Sequence, residues 1–212
     1  MTGSLKLETV VEPRVLTIEN LGPLWIAAST HAGEEDVCAR VFARLQQRFA
    51  GLRLLLAPRH LDRLPAVEAA LRSKGLDFVR RTELRENRWT GEPPVLVLDT
   101  LGELAALYAG AAAAFVGGTL ARVGGHNLLE PARAGVPVLY GPHVENVAAT
   151  ADALDASGGG FRIADEAGLA ARLEALLDDP ELRTRTGRAA QATVGSVGSL
   201  EASVRTALDC LA

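Results

Sequence analysis

The apolar positions of this chain fall into two alternating patterns. Short continuous runs at residues 24–29 (LWIAAS), 52–57 (LRLLLA), 76–81 (LDFVRR), 95–98 (VLVL), 111–116 (AAAAFV), 136–140 (VPVLY) and 160–163 have the length and composition of buried strands. Between them lie stretches with helical spacing at 34–50, 61–74, 101–109, 128–134 and 148–157, and a helical tail opens at 169–177. Gly75 and Gly135 stop two of these helices, the usual place for a residue without a β-carbon. The alanines of 111–116 leave that run compatible with a helix end as well as a strand. Residues 82–94 contain Gly91, Pro93 and Pro94 and are predicted to be a loop. Repeated strand–loop–helix units predict an α/β fold, a Rossmann-like parallel sheet with helices on both faces. Residues 1–22 form a lead-in, and residues 23–212 a single domain that includes the helical tail.

Composition agrees with that picture. The chain has 212 residues, 48% of them hydrophobic and only 4% aromatic, and its apolar content is mostly Ala, Leu and Val. Such residues suit close-packed helices and parallel strands better than an aromatic-rich sandwich. A net charge of −4 argues against a general nucleic-acid surface, which needs clustered Lys and Arg. It leaves room for a small anionic ligand held by a local cluster. Cys38 and Cys210 match no metal or redox spacing and read as two reduced thiols of a cytosolic protein. No apolar run approaches the ~20 residues of a membrane helix, and no signal-peptide pattern opens the chain, so a soluble chain without membrane insertion is expected.

Ligands of parallel sheets gather at the carboxyl ends of the strands. Four polar clusters fall there: 29–34 (STHAGE), 58–60 (PRH), 99–103 (DTLGE) and 117–130. The last belongs to the most informative stretch, GGTLARVGGHNLLEPA at 117–132. Gly124 and Gly125 permit close backbone approaches, Asn127 is a good N-cap, and Pro131 is tolerated near a helix start. A helix N-terminus beneath a glycine loop is expected to present free N–H groups to an anion. Arg59 either forks around a phosphate or carboxylate or pairs with a neighbouring acid. His60 reads as a loop residue. Thr100 and Glu103 fit the S/T-x-x-E capping box, while Gly102 would be accounted for by close approach of a base or ribose. Glu130 is either a dipole-favoured acid at a helix start or an acceptor for ribose hydroxyls. Arg122 is a partner for an anionic sugar or a solvated loop arginine. Ser29 and His31 are placed to contact phosphate, unless Ser29 or Thr30 simply caps the following helix. The chain lacks a Ser-His-Asp order, HExxH, Walker loop, metal cluster and GxGxxG fingerprint. It has a binding rim without a self-contained catalytic apparatus.

The strings AASTHAGEE (27–35), LAPRH (56–60), LDTLGELAALYAGA (98–111), FVGGTLARVGGHNLLEPA (115–132) and GVPVLYGPHVEN (135–146) closely resemble the C-terminal half of 3-deoxy-D-manno-octulosonic acid (Kdo) transferases. The resemblance implies a GT-B glycosyltransferase, with CMP-Kdo as donor and a lipid A precursor as acceptor in lipopolysaccharide synthesis. It implies no cofactor and no metal. By motif, CMP would be held by Pro58, Arg59, Leu101, Gly102, Glu103, Asn127, Leu128, Leu129 and Glu130, with Glu130 on the ribose and the backbone of 101–103 at the cytosine. Ser29, His31 and Arg122 remain candidates for sugar or phosphate contacts. Three details depart from the family pattern: Leu98 replaces a common glycine, Leu101 a common methionine, and Ala121-Arg122-Val123 varies a loop that often carries proline. The family places its membrane-anchoring segment, its acceptor surface and its general base in an N-terminal half, at the cytoplasmic face of the bacterial inner membrane. The expectation is therefore a donor-binding domain that binds CMP weakly and transfers nothing alone. Two other readings stay open. One is the donor half of a GT-B transferase or epimerase that uses a UDP-sugar. The other is a non-catalytic module docking with a separately encoded N-terminal half.

Overall fold

The computed structural model describes residues 16–19 and 22–209, with side chains described as far as residue 195. Most of the 1–22 lead-in, and Cys210, lie outside the described residues. A seven-stranded sheet in the order β4-β6-β3-β2-β7-β8-β9 forms the centre, and every pairing in it is parallel. Its strands are β2 (Leu24–Thr30), β3 (Arg53–Pro58), β4 (Phe78–Arg80), β6 (Val95–Val97), β7 (Ala113–Val116), β8 (Val138–Tyr140) and β9 (Gly160–Arg162). The ambiguous alanine run is thus a strand. Pro137, which lacks an N–H for the ladder, shortens the 136–140 strand to three residues.

Successive residues point to opposite faces, and each face has its own core. Trp25, Ala27, Leu54, Leu56, Val95, Val97 and Phe115 pack with the apolar stripe of α1 (Glu34–Arg48), α2 (Leu64–Ser73) and α6 (Glu166–Asp178). Ile26, Ala28, Leu55, Ala57, Leu96 and Ala114 face Trp89, Leu107 and Tyr108 on the other side. A third cluster joins Val116, Val138 and Tyr140 to Leu128, Ala132, Ala151, Leu154 and Ala190, from α4 (Leu129–Arg133), α5 (Ala148–Ser157), α7 (Pro180–Asp209) and the residue before α4. Burial on both faces is why the strands read as continuous apolar runs.

Three local expectations need correction. The 82–94 segment is more than a loop, because β5 (Arg88–Trp89) pairs in parallel with β1 (Thr17–Ile18) in a separate two-stranded sheet. Trp89 anchors it, fully buried, with its indole N–H donating to the Pro93 carbonyl at 3.0 Å. The 101–109 helix contracts to α3 (Leu104–Leu107), since Gly102 adopts φ +83°, which cannot continue a helix. The 61–74 helix starts as a 3-10 turn over Leu61–Arg63 before α2.

Candidate functional site

The chain begins its sheet at the centre with β2, builds outward through β3, and later returns to lay β7 on the other side of β2. Loops leaving β2 and β7 therefore diverge, and the crevice between them is where ligands enter such sheets. All four polar clusters lie at this carboxyl rim.

The floor of the crevice is built around Glu34, the first residue of α1 and 2% exposed. Its Oε2 accepts the N–H groups of His31 (2.8 Å) and Gly118 (2.8 Å). Its Oε1 accepts those of Thr119 (3.1 Å), Leu120 (2.9 Å) and Ala121 (3.0 Å). The glycine loop therefore directs its N–H groups at the protein's own carboxylate. An acid from the neighbouring strand's loop already satisfies them. Gly117 makes the approach possible, because a β-carbon there would lie 2.5 Å from the Ser29 carbonyl and 2.7 Å from Glu34 Oε2. Ser29 has φ +51° at the register shift that ends β2, and α1 has Gly33 at its N-cap with no side-chain cap. Neither Ser29 nor Thr30 caps the helix, so that alternative falls. Thr119 fastens the loop to the end of β8, donating to the Val116 carbonyl (2.6 Å) and accepting from Gly141 N–H (2.8 Å).

Above this floor stand His31 and His126, with Nε2 atoms 2.7 Å apart and ring planes 6° from parallel. The His60 ring meets His31 edge-on at 5.3 Å. Burial lowers both the His31 and the His126 pKa; for His31 the Glu34 carboxylate opposes this and His60, Arg63 and Arg59 add to it. Pro58 is buried at the end of β3, and the exposed Arg59 follows it. Among the described residues no acid pairs with Arg59, which leaves its guanidinium available at the rim. The neighbouring Arg63 is the one so engaged, forking onto the buried Glu35 at 3.0 and 3.3 Å.

The 99–103 loop is pinned from beneath. Glu103 accepts a fork from the buried Arg81, with Nε 3.0 Å from Oε2 and Nη2 2.8 Å from Oε1. Thr100 donates its hydroxyl to the same carboxylate, and Asp99 accepts the Thr82 N–H at 2.9 Å. The S/T-x-x-E pair is therefore not a capping box: Glu103 itself occupies the N-cap position of α3, and its side chain faces Arg81. Gly102 adopts a positive φ, which favours glycine there, and no protein atom lies within 4 Å of where its β-carbon would stand. Leu101, 76% exposed, projects from the loop.

On the other wall Asn127 does not occupy the N-cap position of α4, which Leu128 takes. It instead closes a side-chain turn, accepting the Leu129 N–H at 3.0 Å and donating to Glu130 Oε1 at 3.1 Å. Leu128 is fully buried and sets the loop, whereas Glu130 is half-buried and sits near the Tyr108 phenol, whose pKa is raised by burial first and by Glu130 second. Arg122 is exposed. His126, Asn127 and Leu129 line an open cleft of about 620 Å³ with Asn146, Val147 and the first turn of α5. Pro58, Arg59, residues 101–103 and Glu130 lie outside that lining. Among the described residues no group of three or more His, Cys, Asp or Glu is arranged for a metal ion, and no helix is long and apolar enough to cross a membrane.

Sequence reasoning placed Glu34 and His126 within the rim clusters without giving either a role in building the site, and it missed Arg81. The glycine pair 117–118 and an acid opening the helix after β2 were the available signals for Glu34. Nothing local marked Arg81.

No protein-family model matches the chain. It is 36% identical over 156 residues to a 3-deoxy-D-manno-octulosonic acid transferase of Aquifex aeolicus, covering 74% of this chain and 42% of that protein. It is 35% identical over 205 residues to the Bordetella pertussis enzyme of the same name, covering 91% and 47%. The chain thus spans under half the length of these relatives. Among solved structures it is similar to the C-terminal CMP-Kdo binding domain of WaaA from Acinetobacter baumannii, with 28% identity, a TM-score of 0.73, and coverage of 83% of this chain and 90% of that one. Sequence and fold agree on one assignment: this chain belongs to the Kdo transferase family, as its C-terminal, Rossmann-like GT-B domain.

Proposed function

We propose that this domain binds CMP-Kdo, and that with an N-terminal half it transfers Kdo to a lipid A precursor in lipopolysaccharide synthesis at the cytoplasmic face of the inner membrane. The observation that carries the reading is its similarity, over nine-tenths of that chain, to a domain described as binding CMP-Kdo. The rim chemistry supports it residue by residue. Glu130, half-buried in the first turn of a short helix and held by Asn127, would accept the ribose hydroxyls. The exposed Leu101 and the backbone through Glu103 would flank the cytosine, with Arg81 keeping that loop rigid. Pro58 sets the chain direction from which Arg59 would reach an anion. Leu128 and Leu129 would support the nucleotide through packing and backbone N–H groups. Ser29, His31 and Arg122 would meet phosphate or sugar.

In this reading no cofactor is needed beyond the donor, and no metal. The donor side holds the nucleotide and stabilises charge on the departing CMP phosphate. The base that deprotonates the acceptor hydroxyl, the acceptor surface and the second wall that excludes water belong to the other half.

Calorimetric titration with CMP tests this directly. The wild-type domain should bind CMP in preference to UMP, and Glu130→Ala should weaken CMP binding by roughly tenfold to a hundredfold, the loss of a hydrogen bond to a charged group. Preference for UMP, or equal CMP affinity in wild type and variant, overturns the donor and ribose assignments respectively.

A further inference from the structure

The His31–His126 contact has a geometry that the donor reading does not use. The ring centroids are 5.0 Å apart, longer than the 2.7 Å Nε2–Nε2 distance by about the two ring radii, and the planes differ by 6°. The rings therefore meet head-on and in plane, the arrangement of an N–H···N hydrogen bond. Stacked rings would not place the two nitrogens between the two centroids. A metal held by both would need the two lone pairs to converge on a third point. One ring donates its Nε2–H and has a free Nδ1 lone pair; the other accepts at Nε2 and carries its proton on Nδ1. The pair can thus take up one proton, at the free Nδ1, and the internal bond becomes charge-assisted. A second added proton would set N–H against N–H and break it.

We propose that this pair is a proton-accepting phosphate site, which takes one proton from solvent when it meets the phosphate dianion of CMP, the form the nucleotide has once the sugar has left. The proposal rests on the donor-site reading above. Position supports it: His31 leaves β2 and His126 belongs to the loop after β7, so the pair straddles the crevice, and His126 lines the cleft beside Asn127. Its electrostatic surroundings support it as well. The charged and titratable groups acting on the two rings are Glu34 from α1, Arg59 and His60 after β3, and Arg63 before α2. Glu34 spends its two oxygens on five backbone N–H groups, and Arg63 is engaged by Glu35. Arg59 is the cation left facing the crevice. Burial keeps both rings neutral in the empty site, so an arriving dianion supplies the charge that makes protonation favourable.

The test is calorimetry with CMP and with cytidine, in buffers of different ionisation enthalpy, between about pH 7 and 8.5, where the phosphate stays dianionic. CMP binding should take up a substantial fraction of one proton, and its affinity should fall with rising pH by up to about tenfold per unit, the limit for one linked proton. Cytidine, which lacks the phosphate, should take up none. His126→Gln and His31→Gln should bind CMP more weakly and without proton uptake. CMP binding with no proton uptake by the wild type, equal uptake with cytidine, or unchanged uptake in both variants overturns the proposal and leaves the donor reading standing. A wild-type domain that binds neither ligand overturns the donor reading, and the role of the pair with it. Should a variant fail to fold, the wild-type proton count and the comparison of CMP with cytidine still decide.

Discussion

At the scale of single residues, the site depends most on Glu34, whose charge no ligand needs to meet. A buried carboxylate that accepts five N–H groups stands in for the anion that a glycine loop would otherwise bind. Glu34→Gln replaces one acceptor oxygen with an NH₂ that faces backbone donors. It should cost at least about 2 kcal/mol in urea unfolding, the scale of leaving buried donors unpaired. A loss within experimental error would show that the loop reorganises freely without its carboxylate. Gly117→Ala should cost about 1–3 kcal/mol for a related reason, since its β-carbon would press on the backbone at Ser29 and Thr30. The histidine pair adds a pH dependence. Both rings have folded pKa values below the ordinary imidazole value, so the unfolded chain binds more protons and stability falls as pH drops through the ordinary histidine range. Unfolding midpoints followed from neutral pH to mildly acid should decline less steeply in His31→Gln than in wild type. Identical slopes would contradict the assignment.

At the scale of elements, the rim is made by short pieces that longer ones hold in place. The four-residue α3 and five-residue α4 are too short to stand alone, and both are secured by side chains from elsewhere. Arg81, buried before the β5 segment, fixes the 99–103 loop through Glu103. Glu103→Ala leaves that guanidinium without its fork partner and should destabilise by about 2–4 kcal/mol while weakening CMP. Glu103→Gln, which keeps an acceptor, should be milder on both counts. If Glu103→Ala lost CMP affinity with no loss of stability, Glu103 would touch the nucleotide directly instead of positioning the loop.

The element pattern shows how far sequence reading reached. Strand positions were legible wherever both faces are buried, as in β2 and β3, because continuous burial leaves a continuous apolar run. β5 was not legible: two residues with one buried tryptophan carry no period to detect. α3 was read as too long because its apolar spacing extends back across Gly102, and spacing alone does not reveal a positive φ.

At the scale of the whole molecule, the sheet order explains why a binding rim exists and why it has one open side. Four loops converge on one edge because every strand runs the same way. In the proposed reading they form one wall of a cleft that the N-terminal half completes. The domain alone should then bind CMP and yield no measurable Kdo transfer, and adding the N-terminal half of the same enzyme should restore transfer. Transfer by the isolated domain, followed with labelled donor and a lipid A precursor, would mean that the chemistry resides here.

What the sequence determined by itself was the alternation of strands and helices, the parallel sheet, and the placement of the Arg59, 99–103 and 117–130 clusters at its carboxyl edge. These follow from hydrophobic period and from glycine and proline, which act over a few neighbouring residues. Only the tertiary structure decided which polar groups meet: Glu34 with a loop more than eighty positions away, His31 with His126, and Arg81 with Glu103. Those partners are set by the order in which strands are laid beside β2, and a hydrogen bond across two loops leaves no periodic trace in either of them.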